Sequence, residues 1–175
     1  AAGVSSTPVT STARLVIQHV LIDPVATKAY AESSIVGGVG DEVTVGGSNS
    51  GNYTVTSMTV TEPKSGTPDL VAQGLGFDDW DTAHIEWPVG ATSLSFRYLY
   101  DGTSPGYGTA TVISSTSGLN TLPEPAPAAG QTVAGFQAVF TGSMAPNQYA
   151  KLPFTFSTQP VTSDTTVTNT VDYAV

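Results

Sequence analysis

The chain has 175 residues, enough for one large domain or two small ones with a real core, and its 39 % apolar content separates it from disordered chains. Fourteen acids against five bases leave a net charge of −9, which denies nucleic acid its cationic footprint and disfavours anionic membrane surfaces. There is no cysteine, so disulfides and thiolate chemistry are excluded, and two distant histidines, His19 and His84, make a poor transition-metal site.

Residues 1–12 lack the charged and apolar regions of a signal peptide and read as an extended leader or linker. No window approaches the roughly 18 apolar residues that span a bilayer, so membrane insertion is not expected and any anchor lies outside this sequence. Only 11 % of residues are charged, which leaves Thr, Ser, Asn and Gln to solvate the surface. That composition is common in secreted and wall-attached bacterial proteins.

Candidate strands follow in chain order: Arg14–Ile22, Glu42–Gly46, Tyr53–Thr61, His84–Trp87, Ser93–Tyr100, Thr109–Ser114, Gly135–Gly142, Lys151–Ser157 and Thr165–Ala174. Turn clusters such as Gly46-Gly47, Ser50-Gly51-Asn52 and Asp101-Gly102 separate them, and no helix is expected. Arg14–Ile22 is apolar on both faces and is expected to run centrally or under a loop, with His19 as a core histidine. In 52–63 the apolar phase slips between Ser57 and Met58, as a bulge or a bend between sheets would produce. Leu94, Phe96, Tyr98 and Tyr100 share one face; so do Phe136, Ala138 and Phe140, and Leu152, Phe154 and Phe156. In the last strand Val167, Val171, Tyr173 and Val175 share a face with a lone amide, Asn169, which needs a partner or a chemical purpose there. The pattern predicts an all-β chain, an antiparallel sandwich of about eight to nine strands over 13–175. Residues 120–131, rich in Pro and Ala, read as a surface loop of that domain rather than a linker.

Three pieces carry a family resemblance: Gly40-Asp41-Glu42-Val43-Thr44-Val45 after Lys28, then Met58-Thr59-Val60-Thr61-Glu62-Pro63, and finally Val167-Thr168-Asn169-Thr170-Val171. Together they resemble the Ig-like repeat domains of large surface and adhesin proteins of Gram-positive bacteria. The resemblance covers residues 27–63 and the last eleven; residues 64–162 match no pattern of that family. It implies an Ig-like sandwich, a structural stalk or adhesin role, and a place on the cell wall or surface beside neighbouring domains of one long chain. A host or surface protein or a glycan would be the partner.

Some modules of that family carry a spontaneous Lys–Asn or Lys–Asp isopeptide bond. Such a bond requires a buried lysine whose neutral amine attacks, a facing Asn or Asp, and a protonated carboxyl that shuttles protons. Of three lysines, Lys151 faces outward and Lys64 follows a turn proline, which leaves Lys28 as the best candidate to join Asn169. Glu86 and Glu42 are the candidate carboxyl partners, although alternation turns both from their apolar neighbours. The plainer alternative has Asn169 bonded to backbone and Lys28 solvated.

Asp78, Asp79 and Asp81 fall in what reads as one acidic loop, suited to an oxygen-liganded cation such as calcium or simply to solvent. Trp80 and Tyr107, read as loop aromatics, are the candidates for stacking on a sugar ring, the basis of an alternative reading as a carbohydrate-binding module. No spacing singles out a catalytic pair, so an enzyme is not expected and no cofactor is required.

Overall fold

The computed structural model describes residues 15–114 and 122–175; the expected leader 1–12, Arg14 and the first residues of the Pro/Ala-rich loop lie outside the described residues. Among the described residues, ten strands form two antiparallel sheets. The first sheet holds β1 (Pro24–Tyr30), β2 (Gly40–Asn49), β9 (Tyr149–Thr158) and β4 (Leu75–Trp80), in the spatial order β1-β2-β9-β4. The second holds β10 (Asp172–Ala174), β3 (Val55–Glu62), β8 (Gln131–Met144), β5 (Ala91–Gly102) and β6 (Gly106–Tyr107) in that order, with β7 (Thr111–Ser114) also paired to β5. A 3-10 turn, Val71–Gln73, leads into β4. No helix of the described residues is long and apolar enough to cross a membrane, which does not bear on spanning by strands.

The period-2 faces position the core. Val43, Val45, Leu152, Phe154 and Phe156 of the first sheet, and Met58, Val60, Leu94, Phe96, Phe136, Ala138 and Phe140 of the second, are all buried. Alternation along half-buried strands leaves one choice of face, so these assignments follow from the residue order. The phase slip in β3 is a bulge: its register against β8 shifts between Val55 and Ser57, and the strand stays in one sheet throughout. The bulge lets Val55, Met58, Val60 and Glu62 all point inward.

Three expected strands differ. Residues 15–22 are exposed and irregular, and His19 is exposed, not a core residue. Their backbone is pinned instead by Asn52, whose Oδ1 accepts from Leu21 N and whose Nδ2 donates to the His19 carbonyl. His84–Trp87 contributes one isolated bridge, Glu86 to Lys151, rather than a strand. The last strand shrinks to Asp172–Ala174, paired with Thr59–Thr61. Three strands arise where none was expected: β1, β4 and the two-residue β6. β1 lies on the Pro24–Tyr30 segment, whose residues are mostly exposed at a sheet edge, so no apolar alternation marks it. β4 takes up the acidic stretch, because Leu75 and Trp80 reach the core from its two ends.

Gly46 and Gly47 allow the close approach of β2 to its neighbours. A Cβ on Gly46 would stand 2.0 Å from the Ala150 carbonyl oxygen, and one on Gly47 would stand 2.4 Å from the Tyr173 ring. The turn-like pair is therefore a packing feature inside a strand, and it seats Tyr173 of β10 against the opposite sheet.

Candidate crosslink site

β1 and β10 are the edge strands on the same side of the two sheets, and the site lies between them. Along β1, alternation sends Lys28 and Tyr30 inward while Thr27 and Ala29 face solvent. At the end of β3 the bulged register turns Glu62 into the core, where its side chain is 0 % exposed, against 11 % for that of Lys28. Asn169 precedes β10, and the chain there is tied to the β3 end by the bond from Lys64 N to the Thr170 carbonyl.

One atom organises the site. Glu62 Oε1 accepts from Lys28 Nζ at 2.6 Å and from Asn169 Nδ2 at 2.5 Å. The lysine nitrogen and the amide nitrogen are therefore no farther apart than the sum of those two distances. Glu62 Oε2, Asn169 Oδ1 and the Tyr30 hydroxyl are all buried and make no hydrogen bond of ordinary geometry.

Burial dominates the electrostatics. It pushes the Glu62 carboxyl above the usual carboxylate range, against the pull of the Lys28 charge and the bonds from Lys28 and Asn169. It also lowers the Lys28 ammonium, with Glu62 opposing. Both shifts move the pair toward the neutral amine and neutral acid, because desolvation penalises both charged forms. A neutral amine is a nucleophile, and a neutral acid can protonate a departing nitrogen.

Of the residues expected here, the structure brings Lys28 and Asn169 together and leaves Glu86 out. Glu86 bridges to Lys151 (3.7 Å) and accepts from the Tyr149 hydroxyl at 2.5 Å, at an exposed position. The β-bridge Glu86↔Lys151 fixes it on the outer face, as alternation around Ile85 and Trp87 implied. Glu42 of β2 is half-buried and likewise makes no bond to Lys28. The residue that sequence reading missed is Glu62, and a signal for it existed. Once the phase slip is placed, Met58, Val60 and Glu62 fall on one inward face.

The acidic stretch does not assemble a cation site. Asp78 and Asp79 lie on β4 rather than in a loop; Asp78 takes the Ser157 hydroxyl, Asp79 caps the Trp80 amide, and Asp81 pairs with His84. Among the described residues no three His, Cys, Asp or Glu side chains come together to hold a metal ion. Trp80 is a core residue at 5 % exposure, edge-on to Phe96, Phe136 and Phe154, with its indole N–H donated to the Tyr98 hydroxyl. Tyr107 is 40 % exposed beside a groove of about 440 Å³, but Arg97 stacks on its ring at 4.2 Å. The chain's own Pro-rich segment runs along that groove, held by Tyr98 to the Pro123 carbonyl and by Ala126 N to the Tyr100 hydroxyl.

Compared with family models, with curated proteins and with solved structures, the chain matches none.

Proposed function

We propose that the chain is a non-enzymatic, Ig-like structural module of a bacterial cell-surface protein, a stalk or adhesin unit stiffened by a Lys28–Asn169 amide bond. The observation that carries this reading is the single buried oxygen, Glu62 Oε1, shared by Lys28 Nζ and Asn169 Nδ2. A carboxyl in contact with both nucleophile and leaving group is placed to move protons between them.

Glu62 first takes a proton from the Lys28 ammonium, leaving amine and acid. Nζ then attacks Asn169 Cγ, a new C–N bond forms, and the carbonyl electron pair moves onto Oδ1. Glu62 gives its proton to Nδ2 and takes one from Nζ; the C–Nδ2 bond breaks, the carbonyl re-forms and ammonia departs. Glu62, a carboxylate before the first step, ends protonated with the proton that the ammonium gave up, and because Lys28 and Asn169 are consumed the reaction runs once per chain and needs neither oxidant nor cofactor. Holding both reactants in one pocket supplies the effective concentration that an uncatalysed amide exchange lacks.

In a chain without disulfides such a bond supplies the covalent constraint. It joins the edge strand of one sheet to the segment entering the edge strand of the other, so tension on the two ends would bypass everything between. Intact-mass spectrometry tests the reading. Loss of one ammonia should leave the wild type about 17 Da light, and Lys28→Ala, Asn169→Ala and Glu62→Gln at full mass. A wild-type chain at its full calculated mass sinks the proposal.

A further inference from the structure

We propose that the Tyr30 hydroxyl is a further catalytic group of this site, donating a hydrogen bond to Asn169 Oδ1 as negative charge develops there. The inference rests on the crosslinking reading above and adds the group which that reading lacks, a donor for the oxyanion.

Two buried polar groups of the site lack an ordinary partner. The Tyr30 hydroxyl and Asn169 Oδ1 are both buried and neither makes a hydrogen bond of ordinary geometry, while the phenol lies near enough to the Asn169 amide to be influenced by it. A buried polar group without a partner costs about 1–3 kcal/mol, so two beside each other require an explanation. Tyr30 stands two residues after Lys28 on β1, hence on the same inward face as the nucleophile. Its ring is fixed edge-on against Phe156 at 5.6 Å, which holds the phenol in place without using its hydroxyl.

The reaction supplies the need. When Nζ attacks, the carbonyl pair comes to rest on Oδ1 in a site from which water is excluded, and an oxyanion there requires a preorganised donor. Glu62 cannot serve throughout, because its proton is needed at the departing nitrogen. The Tyr30 hydroxyl hydrogen rotates freely and requires no other acceptor to be given up. No atom is exchanged with the phenol: it keeps its proton, and the bond relaxes when the carbonyl re-forms.

A second buried phenol without a partner, Tyr173, is the natural rival. The surroundings separate the two. Beyond burial, Tyr30 feels the Glu62 charge and the Asn169 amide, whereas burial alone perturbs Tyr173. Burial and Glu62 both hold the Tyr30 phenol above its ordinary value, which keeps it a donor at neutral pH.

The test follows crosslink formation directly. Protein made by cell-free synthesis is quenched in acid at intervals, and the fraction that has lost ammonia is read by intact mass. Tyr30→Phe, which keeps the ring against Phe156, should form the bond about 100-fold more slowly while melting like an uncrosslinked chain. Tyr30 replaced site-specifically by 3-fluorotyrosine, a more acidic phenol of nearly the same shape, should react faster than wild type at about pH 7. A purely structural role for the ring would leave that second rate unmoved. The proposal is overturned if Tyr30→Phe reacts as fast as wild type, or if fluorination leaves the rate unchanged. If the wild type itself never loses ammonia, the crosslinking reading fails before Tyr30 is in question.

Discussion

Replacing Lys28 by Met and Glu62 by Gln together should remove the crosslink without leaving a lone buried charge. The pairing matters, because deleting one partner of a buried ion pair strands the other, whereas replacing both is often close to neutral. What remains of the perturbation is then the lost covalent closure. Joining Lys28 to Asn169 closes a loop of about 140 residues, for which chain entropy gives a stabilisation of about 5 kcal/mol at 25 °C. For a chain of this size each kcal/mol moves the melting temperature by about 2–4 °C, so the double variant should melt about 10–20 °C below wild type. Scanning calorimetry on both proteins, each first characterised by intact mass, measures the difference. Equal melting temperatures for a crosslinked wild type and the full-mass variant would refute the loop-closure reasoning. The mass alone decides whether the bond exists.

In single-molecule stretching of the chain between flanking handles, the crosslinked wild type should lack most of the unfolding extension, about 50 nm for some 140 residues at about 3.5 Å each. The Lys28→Met/Glu62→Gln variant should show it, and a wild type that extends fully would contradict the proposed force path. Burial pushes the Tyr173 phenol up to about 12. The stability this contributes is whole below the unfolded value of about 10 and is lost as pH rises through about 12, so Tyr173→Phe should flatten the alkaline fall in urea midpoint over that window. Trp80→Ala should cost about 3–5 kcal/mol in urea denaturation, as a large core side chain removed from among Phe96, Phe136 and Phe154 does. A cost below about 1 kcal/mol would return Trp80 to the surface role that its loop-like sequence neighbours suggested.

The all-β class and most of the core were legible because alternation has one physical cause. A half-buried strand must send every second side chain inward, and Leu94 to Tyr98 and Phe136 to Phe140 obey it, while in Leu152 to Phe156 the intervening Pro153 is buried as well. Where the reading failed, a different force decided. Residues 15–22 look like a central strand by composition, yet Asn52 ties their backbone along the surface and their apolar side chains stay exposed. β1 was invisible for the opposite reason: an edge strand buries little, so backbone pairing to β2 rather than apolar pattern defines it. Asp78 and Asp79 suggested a loop, but the β4 ladder to β9 accommodates two exposed acids between buried ends.

The site shows the same division between what one strand reveals and what several strands must assemble. Asn169 is visible from its own strand, as an amide out of place on an apolar face, and Lys28 only through the family resemblance, which asks for a lysine and makes it the best of three. The carboxyl was not visible that way, because alternation counted forward from Tyr53 puts Glu62 on the solvent side. Only the bulge between Val55 and Ser57 reverses the phase and drives an acid into the core. That irregularity is consequently not incidental to the proposed chemistry. A β3 without it would keep Glu62 in water, where its pKa and that of Lys28 would stay near their ordinary values and the amine would remain charged. The proposed reactive pair thus depends on one extra residue in a strand that otherwise packs Val55, Met58 and Val60 and pairs with β8 and β10.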